Sequence, residues 1–340
     1  MAWPDSATEN NMDLYLFLYK IILPGRYRDY LQRADGNLDK LRETLLHKTF
    51  YEEYDRYDFA HKSQTQRRTY ITDHYRNRVC RRINNPRQQA LIMDKYRAAQ
   101  VLKDYYGRRF MQVASETDRA AFIRFGKDMG QLVVKPVDDC GGRGVRLLAP
   151  QTSHQWADLF DEMIEQKRRF IVEERIVQDP FMAAFNPSSV NTVRINTFQH
   201  RGRVSRFTAI LKTGRKGTFV DNGAQGGVMA LAHSETGLIV TDAIDDLGHS
   251  FTVHPDSGQA FRGVQIPRWE ELKRTTTEIA LLFPRLTFIG WDMALTPDGW
   301  IAVEGNKGEF FAEQIVLRRG LKKEFDQMCK DGAKNKNSEF

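Results

Sequence analysis

Apolar positions give the chain two textures. Up to about Asn85 they recur at helical spacing, as Leu38, Leu41, Leu45 and Leu46 do, with aromatic residues set among charges. Asn84-Asn85-Pro86 reads as a break, because the residue before a proline is pushed out of the helical region. From about Gln88 to Arg124 the pattern predicts two more helical stretches, separated at Tyr106-Gly107. Short β-rich runs take over from about Gln131. Leu132-Val133-Val134-Lys135 ends at Pro136, a loop from Asp138 to Gly144 follows, and Val145 to Leu148 resumes as a strand. That order, strand then glycine loop then strand, is a hairpin; a P-loop would run on into a helix. Further strands are predicted over Phe170–Glu173, Thr192–His200, Val204–Leu211 and Gly237–Asp242, helices over Ser153–Arg168 and Trp269–Leu282, and a last hairpin over Phe288–Glu304.

Composition changes this picture little. A chain of 340 residues with 41% hydrophobic and 28% charged residues has enough apolar content for a large core in two or three lobes. Cys80, Cys140 and Cys329 are few and widely spaced, which points away from a disulfide framework or a zinc site and toward a reducing, cytoplasmic setting. The start carries Asp5 and Glu9 where a signal peptide would be basic. Leu14 to Leu23 is apolar but interrupted by Lys20 and stopped by Pro24, short of the roughly 20 residues needed to span a bilayer. It reads as a buried amphipathic helix, with docking on a membrane surface as the other reading.

The net charge of +7 is modest for this length. Its main concentration lies between Lys62 and Arg87, where Arg67, Arg68, Arg76, Arg78, Arg81 and Arg82 meet one acid, Asp73. A solvated helical face accounts for such a run, and contact with nucleic acid or an anionic membrane is the alternative. No nucleic-acid-binding motif accompanies it.

Three groups of residues carry candidate chemistry. The loop containing Gly141, Gly142 and Gly144 offers backbone amides to phosphate oxygens with no Cβ in the way, and Lys135 stands just before it. Glycine-rich turns are also common as plain structure. The second group is sharper. In the run from Gly290 to Asn306, a three-residue hairpin loop with Gly299 in the left-handed position would set Thr296 opposite Trp300. Counting back places Asp292 opposite Glu304, with Asn306 on the same face. Two facing carboxylates and an amide oxygen suit Mg2+, a hard cation that keeps waters and bridges to phosphates. Asp292 sits among Ile289, Trp291, Met293 and Ala294, so it is expected to be buried, and a buried carboxylate needs a partner. The third group is cationic: Arg194 in one predicted strand and Lys212 at the end of another, before a second glycine-rich stretch from Asp221 to Gly227. Each cation alone reads equally as a solvated strand residue.

Taken in order, these pieces resemble the ATP-grasp superfamily, and within it the sugar-transfer-associated ATP-grasp family, over roughly Arg87 to Asn306. The resemblance is carried by Met93-Asp94-Lys95, Val134-Lys135-Pro136 with its glycine loop, and Val172-Glu173-Glu174-Arg175-Ile176. It continues through Val190 to Arg194, Asn222 to Gly227, Gly290-Trp291-Asp292 and Glu304-Gly305-Asn306. It implies an α+β fold in which two lobes grip ATP, preceded by a mainly helical N-terminal region. The division that follows is 1–85 helical, 86–180 small lobe and linker with the phosphate loop, 181–330 C-terminal lobe with the metal site, and 331–340 a polar tail.

By the same resemblance, Lys95 and Lys135 contact ATP phosphates, together with Gly141, Gly142 and Gly144. Glu173, Glu174 and Ile176 belong to the hinge strand that reads adenine, and Asp179 or Gln178 reaches the ribose, although the glutamate usual there is missing. Arg194 and Lys212 face the γ-phosphate and the developing acyl phosphate, and Asp292, Glu304 and Asn306 bind the metal. The implied activity is an ATP- and Mg2+-dependent carboxylate–amine ligase acting through an acyl phosphate, on a small-molecule acid and amine, with a sugar acid or amino acid as natural candidates. A kinase acting on a hydroxyl and a non-catalytic nucleotide- or nucleic-acid-binding protein are the alternatives. The region from Arg201 to Arg262 and the helical N-terminal part are expected to form the acceptor pocket. No spacing fixes the substrates or the oligomeric state.

Overall fold

The computed structural model describes residues 37–334, apart from 140–141, 220, 222–225 and 309. The apolar segment Leu14–Leu23, Cys140-Gly141 and the stretch Asn222 to Gln225 lie outside the described residues. The fold is α+β, with two antiparallel sheets and a helical N-terminal region.

That region comprises α1 (Leu38–His47), α2 (Tyr51–Arg56) and α3 (Asp73–Ile83), followed by α4 (Pro86–Met93) and α5 (Lys95–Val101). The expected break falls between α3 and α4: Asn84 ends one helix, and the Asn85 side chain caps the next with Pro86 in its first turn. Asp94 caps α5 by accepting from the Arg97 amide at 3.1 Å, which places Lys95 at the first helical position. Not every arginine of the basic run is solvated. Arg67 is buried and bonds Asp39 at 3.0 Å and Glu43 at 3.2 Å, so it is internal scaffolding.

The smaller sheet has the order β1-β4-β2-β3, from β1 (Phe110–Val113), β2 (Leu132–Pro136), β3 (Arg146–Leu148) and β4 (Phe170–Glu174). Alternation puts Leu132, Val134 and Val172 against Phe122 of α6 (Arg119–Met129) and Trp156, Phe160 and Met163 of α7 (Ser153–Glu165). Lys135 and Glu173 take the opposite face. Strand β1 was not expected from sequence. It is four residues long and pairs with β4, some 60 positions away, so no local signal marks it.

The larger sheet has the order β11-β10-β5-β6-β7-β8-β9. Its strands are β5 (Thr192–His200), β6 (Arg203–Thr213), β7 (Val228–Ala232), β8 (Ala243–Ile244), β9 (Ser250–Phe251), β10 (Phe288–Thr296) and β11 (Gly299–Asn306). One face packs Val193, Ile195, Leu211 and Met293 toward Leu272 and Ile279 of α8 (Trp269–Leu281). On the other face, Ile210, Met229 and Ile244 pack against Tyr54, Tyr57 and Tyr70 of the N-terminal region and Ile315 of α9 (Phe311–Leu317). A final helix, α10 (Lys322–Lys334), brings Phe325 against Phe198 and Phe288 and extends into what was expected as a polar tail. The strand expected over Gly237–Asp242 is replaced by isolated bridges from Leu238 and Ile239; the sheet is continued by β7, whose alanines gave little β signal.

The β10–β11 hairpin corrects the expected turn. Thr296 pairs with Gly299, so the loop holds only Pro297 and Asp298, and the register near the tip is one residue away from the expected one. A bulge between Asp292 and Met293 absorbs the difference and restores Asp292 opposite Glu304. Gly299 has φ +143°, and a Cβ there would stand 2.4 Å from Glu271 Oε1, so the turn needs glycine.

Candidate functional site

Between the two sheets lies a cleft of about 410 Å3, in the range of small-molecule sites. The small sheet contributes Lys135 and Glu173, the start of α5 contributes Lys95, the glycine loop contributes Gly142, and the large sheet contributes Arg194, Lys212, Asp292, Glu304 and Asn306. The end of β4 and the segment after it line it through Glu174, Arg175 and Ile176. Gly142 has φ +72°, which glycine adopts without strain.

On the large sheet the strand order itself assembles the charges. Asp292 of β10 pairs with Glu304 on one side and Arg194 on the other. Arg194 donates to Asp292 through Nε at 2.8 Å and Nη2 at 2.6 Å, a two-point contact that fits a planar guanidinium. Lys212 Nζ lies 3.6 Å from Asp292 and 3.5 Å from Asp221. Burial would raise the Asp292 carboxyl, but Arg194 and then Lys212 outweigh it and hold it well below the usual carboxylate range. Burial raises Asp221, and the nearby Asp292 adds to the rise against the pull of Lys212. Asp221 also accepts from the Thr192 hydroxyl.

The proposed ligand set for a metal converges on one amide. Asn306 Nδ2 is 3.1 Å from Asp292 Oδ2 and 3.1 Å from Glu304 Oε1. Rotating that amide by half a turn would present its oxygen beside both carboxylates, and amide orientation follows whatever partner is present. Among the described residues no three His, Cys, Asp or Glu side chains converge as a metal cage. Two carboxylates and an amide are nonetheless the donor set that suits magnesium when phosphates and water complete its shell, so these residues fit that ion.

On the small sheet, Glu173 is 2% exposed and saturated with partners. It accepts from Tyr106 Oη at 2.6 Å, Lys135 Nζ at 2.9 Å and Arg108 Nε at 3.0 Å. Burial alone would raise its carboxyl, and Arg108 and Lys135 bring it down to about 2. Lys135 is thereby held at the cleft wall. Lys95 donates to the Asp139 carbonyl, and its own amide bonds the Val137 carbonyl at 3.0 Å, tying α5 to the segment after β2.

Asp179 and Gln178 are occupied elsewhere. Asp179 caps the short helix Pro180–Ala183 by accepting from the Phe181 amide at 2.8 Å. The Gln178 amide bridges the Asn186 and Ser189 carbonyls at 2.8 and 2.7 Å. Neither residue lines the cleft. Gly144 is not among the lining residues either, and Gly141 lies outside the described residues. Arg108, Tyr106, Thr192 and Asp221 escaped the sequence reading. Arg108 is the most consequential, because besides Glu173 it donates to the Ala302 carbonyl at 2.9 Å and the Val303 carbonyl at 3.2 Å. It thus fastens the bulge beside Glu304 to the small sheet. Only its place after Tyr106-Gly107 could have marked it, and Arg108-Arg109 reads as a solvated pair.

No curated protein matches the sequence. Among solved structures, D-alanyl-alanine synthetase A from Vibrio cholerae is similar at 12% identity and a TM-score of 0.48, over 73% of this chain and 67% of that one. The ATP-grasp ligase PsnB, solved with minimal precursor, Mg and ADP, is similar at 16% and 0.44, over 74% of this chain and 62% of that one. D-alanine–D-alanine ligase from Bacillus anthracis is similar at 11% and 0.47, over 76% and 72%. The chain thus spans about two thirds of the length of these distant neighbours, and the site described above rests on its own residues. The family model described as sugar-transfer associated ATP-grasp matches residues 74–330. With most of its length inside that match, the chain belongs to the sugar-transfer associated ATP-grasp family.

Proposed function

We propose that the chain is an ATP-dependent carboxylate–amine ligase. The observation that supports this best is one cleft lined by Lys95 and Lys135 from one side and by Arg194, Lys212, Asp292, Glu304 and Asn306 from the other. A triphosphate needs its charge balanced from several directions, and a carboxylate must approach it without repulsion.

A carboxylate resists amine attack because oxide would have to leave. In the proposed reaction a carboxylate oxygen attacks the γ-phosphorus of ATP while the bond to the β-phosphate oxygen breaks, giving an acyl phosphate and ADP. The amine nitrogen then attacks the carbonyl carbon, phosphate leaves with the C–O electron pair, and the surplus amine proton is lost to solvent or phosphate. Lys95 and Lys135 hold the phosphates, with ionised Glu173 fixing Lys135 in place. The backbone from Glu174 to Ile176 faces the adenine edge. Arg194 and Lys212 receive the reacting carboxylate and the charge that develops on the transferred group. Magnesium, when held by Asp292, Glu304 and Asn306, supplies charge neutralisation at the phosphate oxygens. Arg194 and Lys212 hold Asp292 ionised and line the cleft where the substrate carboxylate enters. Such catalysis is positioning and electrostatics and uses no nucleophilic side chain.

The test is hydroxamate formation. The full chain is incubated with MgATP, a pool of carboxylic acids and hydroxylamine, which traps an acyl phosphate. Hydroxamate dependent on both acid and ATP is the expected result. ATP consumption that yields a phosphate monoester from an alcohol pool, with no hydroxamate from any acid, would replace the ligase by a kinase.

A further inference from the structure

The same cleft has a wall that the phosphate chemistry does not use. It is formed by Arg56, Asp246, Phe311 and Ala312, beside Met229 and Lys212. Arg56 ends α2, outside the matched residues 74–330, so it comes from the N-terminal helical block of this chain. That block is firmly seated: Tyr54 and Tyr57, on either side of Arg56 in sequence, are buried against Met229, Ile244 and Ile315. The Arg56 guanidinium lies over the Phe311 ring at 4.6 Å, and its Nη2 is 3.3 Å from Asp246 Oδ2. Asp246 is presented by a tight turn after β8, in which Asp245 Oδ1 accepts from the amides of Leu247 and His249, each at 2.9 Å.

The sheet register gives the distance of this wall from the reacting end. Lys212 pairs with Met229, and Met229 pairs with Ile244, two residues before Asp246. Two strand spacings are roughly 10 Å, and the two residues from Ile244 to Asp246 add roughly 7 Å at right angles, so the backbones stand on the order of 12 Å apart. The Lys212 and Asp246 side chains both line the cleft between them. Met229 and Phe311 supply apolar contact in between.

We infer that Arg56 and Asp246 read the dipolar head of the acid substrate, so that the ligand is an amino acid bearing a second, distal carboxylate. A guanidinium carries five donors in a planar fork, and its Nη2 lies 3.3 Å from Asp246. An incoming carboxylate can take the fork while an ammonium takes Asp246. A cation and an anion side by side on one wall of the cleft match the two charges of such a head. The distal carboxylate then reaches Lys212 and Arg194. Only that last placement rests on the ligase reading.

The experiment is calorimetric binding of three acids of equal chain length, 2-aminopimelate, pimelate and heptanoate, to the full chain. The ammonium and the second carboxylate are each expected to raise affinity about tenfold. Arg56→Gln is expected to erase the advantage of pimelate over heptanoate, and Asp246→Asn that of 2-aminopimelate over pimelate. Arg56→Lys, which keeps charge and packing but loses the fork, is expected to retain part of the gain. Equal affinity for the three acids, absence of binding, or a ranking untouched by Arg56→Gln would overturn the assignment. The same acids in the hydroxamate assay separate the two claims. An intact ranking without hydroxamate refutes the ligase and spares the head-group site; hydroxamate with a ranking blind to Arg56 does the reverse.

Discussion

Two buried acids face the cleft from opposite sheets, and they are held in different ways. Glu173 on the small sheet has partners on every side, and one of them, Arg108, also grips the carbonyls of Ala302 and Val303 across the gap. Asp292 on the large sheet is paired to Arg194, Lys212 and Asn306, all of which line the cleft themselves. Both carboxyls stay ionised because cations overcome the cost of burial. The first arrangement is a brace, since breaking it strands charge inside protein. The second is exchangeable, because a ligand entering the cleft can replace each partner. The comparison predicts that substitutions around Glu173 cost stability and those around Asp292 cost activity.

Glu304→Ala tests the exchangeable side and has the largest expected effect. It removes one of the two carboxylates facing the proposed metal while leaving Asp292 paired to Arg194. Turnover is expected to fall on the order of 10^3-fold, with the urea unfolding midpoint unchanged. Full activity in this variant would refute the metal assignment. Arg108→Leu tests the brace. It leaves Glu173 with Lys135 and Tyr106 alone and takes a donor from three carbonyls, those of Tyr106, Ala302 and Val303. Unfolding free energy is expected to drop by about 3–5 kcal/mol in urea titrations. A loss below about 1 kcal/mol would mean that Arg108 is not a brace.

A third buried acid sharpens the contrast. Glu53 in α2 accepts from the Phe50 amide at 2.8 Å and the Asp73 amide at 2.6 Å, but among the described residues no cation is bonded to it. Burial pushes its carboxyl up to about 7. Its contribution to stability is therefore complete below its ordinary 4.5 and is lost as pH rises through 7. Glu173 runs the other way: with a folded value of about 2, its contribution is complete above 4.5 and is lost as pH falls toward 2. Each amounts to about 3 kcal/mol across its window. Urea midpoints measured against pH should show Glu53→Gln flattening the limb between 4.5 and 7 while leaving the acid limb in place. An unchanged upper limb would show that Glu53 is solvated when folded.

These three acids also show what the sequence could reveal. Asp292, Glu304 and Asn306 were legible because a hairpin is local: its register follows from a turn and an alternation within 15 residues. Even there the endpoint was reached through a wrong turn, compensated by a bulge that no residue at Asp292-Met293 announces. Lys135 and the strand that carries Glu173 were legible for the same local reason. Arg108 was not, because its partners are Glu173 and the Ala302 and Val303 carbonyls, 65, 194 and 195 positions away, and no periodicity records such a meeting. Arg56 and Asp246 belong to the same class, joined only when α2 docks on the face of the sheet near β8. Helices and hairpins follow from near neighbours; braces and pocket walls follow from packing.

The smallest expected effect comes from Asp179, where local sequence and tertiary placement disagree. The family resemblance implied a contact with the ribose, yet its carboxylate caps Pro180–Ala183 and its amide bonds the Leu295 carbonyl at 2.8 Å. Asp179→Ala keeps the backbone bond and removes only the cap, so stability should fall by about 1 kcal/mol. The KM for ATP should not move, because no atom of the cleft wall is altered. Asp179→Asn, which retains a capping oxygen, should recover the stability. A KM for ATP raised about tenfold in the alanine variant, with stability unchanged, would mean that the loop turns Asp179 into the cleft when nucleotide binds. The cap would then be the resting half of a two-position side chain, and the segment joining the two sheets would hold an exchangeable acid of its own.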